Sequence, residues 1–330
     1  MRCIGRYSKM IAMLSLTAVV TTGCSGVGTI FGGKGVVAEY ETENYNKNVY
    51  KGKLFASDLC VASDDVDLKG ITKTETGTLH SAALFDVDNG KVDFSYQMFD
   101  KVYPASTTKI MTALVAMENA DLSDVVTVSQ DADVSNFAAD EATCGIKAGD
   151  QMKLSDLLYG LLLHSGNDNA VAIADYIAGS EEAFADMMNK EAKKLMATGT
   201  HFVNSNGLHN DNHYTTAYDL YLIFKEAVKY DTFVDTVSSK DYTMTYTTPK
   251  KTQINEYMQS TNYYLLNEFP VPEGVVMYGG KTGTTSMAKS CLILMTKNKK
   301  GERFFSVVLG AETKDMLYSS MSQLLEKTAN

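Results

Sequence analysis

Nowhere in the 330 residues do lysines and arginines crowd into a dense run, and the formal net charge is -10. A nucleic-acid surface needs a basic face, so that class of partner is excluded. The small cluster Lys297, Lys299 and Lys300 reads as a solvated hairpin turn. Cysteine is too sparse for a scaffold. Cys60, Cys144 and Cys291 are far apart and form no C-x-x-C pair, so neither a disulfide framework nor structural zinc is expected. They read as small buried apolar side chains. There is no H-E-x-x-H, no internal repeat, and nothing like a signalling domain or a transmembrane bundle. With 45% hydrophobic residues, the chain can bury a sizeable core in one large domain or two lobes.

The N-terminus reads as a signal peptide over residues 1–23. Arg2, Arg6 and Lys9 precede an apolar segment, Ile11 to Val20, too short to span a bilayer comfortably. Thr21-Thr22-Gly23-Cys24 resembles a bacterial lipoprotein signal, with Cys24 as the lipidated residue. Thr21 departs from the usual leucine, so ordinary cleavage and secretion is the alternative. Residues 24–55, rich in Gly, Ser, Asn, Lys and Glu, read as a flexible tether. The folded domain is expected over 56–330.

Within it, the apolar run Ala82–Val87, the turn Asp88-Asn89-Gly90 and the alternation Val92, Phe94, Tyr96 predict a β-hairpin. A helix is expected after Pro104, with Ile110, Met111, Leu114 and Met117 at helical spacing. Another opens at Ser155 and Asp156, a third covers Ala170–Ala178 and ends at Gly179, and a fourth is capped by Ser180. Cys291–Met295 and Phe304–Leu309 read as strands, and Met316–Leu325 as a terminal helix. This order predicts an α+β fold, an antiparallel sheet flanked by helices with an all-helical lobe.

Three short motifs carry chemistry. In Ser106-Thr107-Thr108-Lys109, residues three apart share a helix face, so a lysine made neutral by burial could take the serine proton. The helix N-terminus offers oriented N–H groups to an oxyanion. A second S-x-x-K, Ser286 to Lys289, reads as strand, where the two side chains point to opposite faces. Ser165-Gly166-Asn167 places a hydroxyl and an amide across a glycine turn; Ser260-Thr261-Asn262 repeats the spacing and reads as chance. Lys281-Thr282-Gly283, after Gly279-Gly280 and before Thr284-Thr285, lets a substrate backbone approach a strand edge and offers a cation and a hydroxyl to a carboxylate.

S-x-x-K opening a helix, S-x-N between helices and K-T-G on a late strand form the set of penicillin-binding proteins and serine β-lactamases. Roughly residues 55–325 resemble the low-molecular-weight D-alanyl-D-alanine carboxypeptidases. Pro104–Lys109, Leu161–Asp168, Thr200–Asn204 through Gly207-Leu208, and His213–Ala217 carry the resemblance. It implies a β-lactamase/transpeptidase-like fold and a serine carboxypeptidase that removes the terminal D-alanine of peptidoglycan pentapeptides, with β-lactams as covalent inhibitors. It implies Ser106 as nucleophile, Lys109 as general base, Ser165 as proton relay and Asn167 as substrate holder. Lys281 and Thr282 would bind the terminal carboxylate, with Gly283 beside them, and the N–H groups of Ser106 and Thr284 would form the oxyanion hole. No metal or cofactor is expected. The family's arginine in the strand-to-helix stretch near the C-terminus is missing from Gly310-Ala311-Glu312-Thr313-Lys314. The second all-β domain and amphipathic anchor helix that many relatives carry are not expected from this sequence. Lipid at Cys24 would then hold the enzyme on the extracytoplasmic face of the membrane.

Three other readings compete. A D,D-endopeptidase or transpeptidase would use the same residues; a β-lactamase would use a similar fold, but Gly166 replaces the S-D-N aspartate and no segment is assignable to a deacylating glutamate loop. A metallopeptidase would need His209 and His213, which flank a turn-like Asn210-Asp211-Asn212. A non-catalytic β-lactam sensor or peptidoglycan-binding protein would acylate and stall.

Overall fold

The computed structural model describes residues 58–67 and 79–329; the leader, Cys24 and the tether lie outside the described residues. Strands β1 (Ser81–Asp86) and β2 (Lys91–Tyr96) form the expected hairpin. A 3-10 turn, Ala105–Thr108, then runs into α1 (Lys109–Asn119), whose residues 109–116 are all buried. Short strands β3 (Val125–Thr127) and β4 (Gln151–Lys153) lead to α2 (Leu154–Tyr159), which widens into a π-helical turn over Gly160–His164. Helices α3 (Asn167–Ala178), α4 (Glu181–Lys194), α5 (Ala217–Ala227) and α6 (Asp231–Ser238) complete the helical lobe. Gly179 in the left-handed region ends α3, and the Ser180 hydroxyl accepts from the Ala183 N–H at 3.1 Å to start α4.

The chain then returns to strands. β5 (Asp241–Thr247) and β6 (Gln253–Gln259) join β3 and β4 in a small antiparallel sheet of order β3-β4-β5-β6. After the single-turn α7 (Tyr263–Leu266) come β7 (Val275–Thr285), β8 (Lys289–Asn298), β9 (Arg303–Ala311) and α8 (Lys314–Thr328). The main sheet is antiparallel, ordered β2-β1-β9-β8-β7.

Side chains alternate across a strand, and here both faces of the main sheet are covered. Ala83, Phe85, Ile293, Met295, Phe305 and Val307 pack with the helical lobe, while Ala82, Leu84, Leu292, Leu294 and Val308 pack under α8. That division explains why β1 and β9 read as continuous apolar runs rather than as alternating ones. Cys60, Cys144 and Cys291 are buried and unpaired, as expected. Strand β7 lies at the sheet's edge, alongside the Ala105–Thr108 turn. Among the described residues, no helix is long and apolar enough to cross a membrane.

Candidate active site

The Ala105–Thr108 turn is held from three sides. Ala105 sits at φ +48, a conformation costly for a residue with a Cβ. The Thr107 hydroxyl donates to the Pro104 carbonyl at 2.7 Å. Thr108 Oγ1 lies 2.8 Å from His213 Nε2, while His213 Nδ1 accepts the Val203 N–H at 3.2 Å. With Nδ1 accepting, Nε2 carries the proton and donates to Thr108. Burial, with the neighbouring histidines adding to it, lowers the imidazole pKa to about 4 and keeps it neutral. The turn is also crowded by glycines. A Cβ at Gly207 would collide with the Ala105 carbonyl, and one at Gly283 would lie 2.9 Å from the Ser106 N and 3.0 Å from the Pro104 O. Gly283 is therefore what lets β7 press against the backbone of the serine.

Lys109 is fully buried. Its Nζ lies 3.0 Å from Ser106 Oγ, 2.7 Å from Asn167 Oδ1 and 2.7 Å from the Asn206 carbonyl. A neutral amine has two N–H donors and one lone pair. Two partners are carbonyl oxygens that can only accept, so the two N–H groups are spent on them and the lone pair faces the serine hydroxyl. Burial, reinforced by the positive charge of Lys281, drives the Lys109 pKa well below the usual lysine range. The arrangement is that of a general base beside a nucleophile.

Ser165 sits at φ +69, so the left-handed residue of this turn is the serine itself rather than Gly166. Gly166 is needed for space, because a Cβ there would meet the side chains of Asn169, Asp168 and Cys144. The Asp168 carboxylate accepts from the N–H groups of Cys144, Gly145, Ile146 and Asn169, fastening the 142–146 segment to α3. Lys281, also fully buried, donates to Ser165 Oγ at 3.0 Å and to the Thr282 carbonyl at 3.0 Å. Burial lowers its pKa to about 7.

These groups surround a cleft of about 390 Å³ lined in part by Ser106, Ser165, Thr282, Gly283 and Thr284. Asp140 and Ala142 form one side; Thr261, Tyr263, Leu317, Tyr318 and Lys314 form the other. Thr261 and Thr282 hydroxyls are 2.5 Å apart. The Lys314 ammonium donates to the Tyr263 hydroxyl at 3.1 Å and lies 5.1 Å from that ring's centroid. Tyr263 is braced in turn by stacking on Tyr318, at 5.1 Å and 11°.

The structure brings Ser106, Lys109, Ser165, Asn167, Lys281, Thr282, Gly283 and Thr284 to one place, and in three respects the geometry differs from the sequence reading. Lys281 does not line the cleft; it stands behind Ser165, and the cation in the lining is Lys314. Ser260-Thr261-Asn262 is not a chance repeat: Thr261 faces Thr282, and the Asn262 side chain accepts the Tyr264 N–H at 3.1 Å to cap α7. The second S-x-x-K fails for a reason other than strand alternation. Ser286–Ala288 is the β7–β8 turn, and Lys289 pairs with Glu312 at 3.3 Å. Asn206 was not anticipated; its contact with Lys109 is made by a backbone carbonyl, which leaves no local pattern. His209 packs edge-on to Tyr103 and pairs with Asp211, while both ring nitrogens of His213 are engaged. No group of three or more potential metal ligands occurs among the described residues.

Three motifs meeting at one serine beside an edge strand define the penicillin-binding α+β fold. Residues 71–313 match the family model described as D-alanyl-D-alanine carboxypeptidase, and the chain belongs to that family. It is 35% identical over 251 residues to the D-alanyl-D-alanine carboxypeptidase DacF of Bacillus subtilis, covering 74% of this chain and 61% of that one. It is 34% identical over 249 residues to DacC of Escherichia coli, covering 73% and 59%. The chain therefore spans about three fifths of the length of these curated relatives. The crystal structure of the Streptomyces K15 DD-transpeptidase superposes with a TM-score of 0.69 at 27% identity, over 75% of this chain and 95% of that one.

Proposed function

We propose that this protein is a serine D-alanyl-D-alanine carboxypeptidase that releases the terminal D-alanine of peptidoglycan pentapeptides through a Ser106 acyl-enzyme. The observation that carries the reading is the Lys109 amine, fully buried with its Nζ 3.0 Å from Ser106 Oγ and 2.7 Å from each of two carbonyl oxygens that can only accept, an arrangement that in the neutral amine turns the lone pair to the serine. Ser106 Oγ attacks the carbonyl of the penultimate D-alanine as its proton passes to Lys109. The oxyanion is held by the N–H groups of Ser106 and Thr284, each donor being worth about 3 kcal/mol in such sites. The C–N bond then breaks, and the leaving amine takes a proton through Ser165, whose oxygen Lys281 polarises. Asn167 steadies the base and the edge of the substrate peptide. Water adds to the ester, Lys109 takes its proton, and the acid and free Ser106 are regenerated.

The edge of β7 offers backbone groups to an extended peptide, as in strand addition. The terminal carboxylate is taken up by Thr282, Thr261 and the Lys314 ammonium, with Lys281 acting from behind as a buried charge. β-Lactams carry the same carbonyl and carboxylate and would acylate Ser106. Lipid on Cys24 would place the domain on the outer face of a bacterial cell membrane; cleavage without lipid would release it.

The test is a digest of a pentapeptide-containing muropeptide followed by mass. Loss of one alanine is expected, and Ser106→Ala should abolish it; retained activity in that variant would refute the mechanism. Cross-linked or cross-link-cleaved products would instead show transpeptidation or endopeptidation by the same acyl-enzyme. Rapid penicillin hydrolysis would show a β-lactamase, and stable penicillin labelling without alanine release a non-catalytic binder.

A further inference from the structure

The loop that carries Asp140 and Ala142 into the cleft turns the intervening side chain the other way. Glu141 lines a separate cavity of about 310 Å³ behind the catalytic lysine, together with Asp131, Asp175, Glu181 and Asn206. Its Oε2 accepts the Asn167 Nδ2 N–H at 3.0 Å, and its Oε1 accepts the Ala138 N–H at 3.3 Å. The same loop is tied to Asn167 through the backbone, the Asn167 N–H donating to the Ala142 carbonyl at 2.7 Å. The opposite end of the Asn167 amide, Oδ1, accepts from Lys109 at 2.7 Å.

We propose that Glu141 is a positioning residue for acylation: its carboxylate holds the Asn167 amide so that the amide oxygen stays on Lys109 and the lysine lone pair stays on Ser106. The proposal rests on the functional reading above, in which Lys109 is the base. A side-chain amide left to rotate could present its NH2 to Lys109. That would leave two donors facing each other, and the amine would lose one of the two acceptors that orient it. A carboxylate on the nitrogen end forbids that rotation, because it accepts only an N–H. The chain Glu141–Asn167–Lys109–Ser106 thus has a single consistent direction.

Glu141 also acts by charge. The charged and titratable groups around Lys109 are Lys281 on β7, Asp168 on α3, Cys144 and Glu141 on the loop, and His213 across the nucleophile turn. Glu141 itself faces the carboxylates of Asp131, Asp175 and Glu181 across its cavity. A negative Glu141 favours the protonated form of Lys109. Removing the charge lowers the proton affinity of the lysine further, so the acid limb of the acylation rate moves to lower pH.

Acylation of Ser106 by a labelled penicillin, followed as a rate across pH, tests both parts. Glu141→Ala should slow acylation by about ten- to a hundredfold, as loss of an orienting partner behind a first contact commonly does. Glu141→Gln keeps an acceptor for Asn167 and should recover most of that rate, with its acid limb at lower pH. In an Asn167→Ala background, Glu141→Ala should cost little more, because the partner it acts through is gone. The proposal is overturned if Glu141→Ala acylates at the wild-type rate, or if its cost persists undiminished without Asn167. Should Glu141→Ala fail to fold, Glu141→Gln decides alone, and an unmoved acid limb overturns it. A wild-type protein that took no label would overturn the functional reading itself, and the proposal with it.

Discussion

Replacing Lys314 by methionine removes the cation in the cleft lining while keeping a side chain of similar length. The wall beside it should survive, since Tyr263 is braced by stacking on Tyr318 and by its N–H donating to the Tyr318 hydroxyl at 2.9 Å. Two unit charges 4 Å apart interact by about 4 kcal/mol at an effective dielectric near 20. Lys314 is exposed, and desolvation and screening remove much of that. A charge-assisted hydrogen bond is worth about 1.5–3 kcal/mol, and the lower end suits an exposed ammonium. The expected loss is then about tenfold in kcat/KM. The decisive assay compares two peptides that differ only at the C-terminus, one a free carboxylate and the other its amide. Lys314→Met should lose about tenfold on the carboxylate and leave the amide unchanged, and Lys314→Arg should retain the preference. Equal losses on both peptides would show that the substitution merely disturbed the wall. No loss on either would return the carboxylate to Thr282 and Lys281 alone.

Two further outcomes follow from the nucleophile turn. Gly283→Ala should lower the penicillin acylation rate by about a hundredfold, because its Cβ meets backbone at 2.9 and 3.0 Å and must displace the Ser106 N–H from the oxyanion position; a wild-type rate would show that β7 can retreat without cost. His213, with a pKa near 4 when folded against 6.5 as a free side chain, contributes stability that is fully present above pH 6.5. That contribution is lost as pH falls toward 4, by up to about 3 kcal/mol. Urea unfolding across that range should show the slope in the wild type and a flatter one in His213→Gln; equal slopes would refute the assignment.

What the sequence disclosed depended on how local each signal is. The hairpin at Asp88–Gly90, the cap at Ser180 and the stop at Gly179 each rest on a few adjacent residues, and each is where the pattern put it. The small sheet was not legible. β3 and β4 have three residues each, and β5 and β6 are largely polar, with tyrosines, threonines and asparagine half in solvent, so no apolar period marks them. In the site, the three motifs are contiguous and could be read. Thr261, Lys314, Asn206 and Glu141 enter it from four different segments, through a hydroxyl pair, a cleft lining, a main-chain carbonyl and a loop carboxylate. Thr261 shows the limit most clearly. Its motif was visible, but its meaning depended on where β6 ends relative to β7, which no window of sequence contains.

In the proposed mechanism, the pairing of two fully buried lysines lets proton transfer run in both directions within one cycle. Lys109 contacts Ser106, and Lys281 contacts Ser165, the residue proposed to pass the proton to the leaving group. Desolvation disfavours the charged form of each, and for Lys109 the charge of Lys281 adds to it. In that proposed cycle, Lys109 on taking the Ser106 proton becomes a cation in a dry site beside a second amine. That state is relieved as the oxyanion forms at the attacked carbonyl, and relieved again when the proton moves on to the departing nitrogen. A lysine with an ordinary pKa would hold the proton and stall the acyl-enzyme; one lowered by burial alone would accept it more easily and release it more slowly. In the proposed cycle, burial first and the charge of Lys281 second would make Lys109 a base that does not keep what it takes.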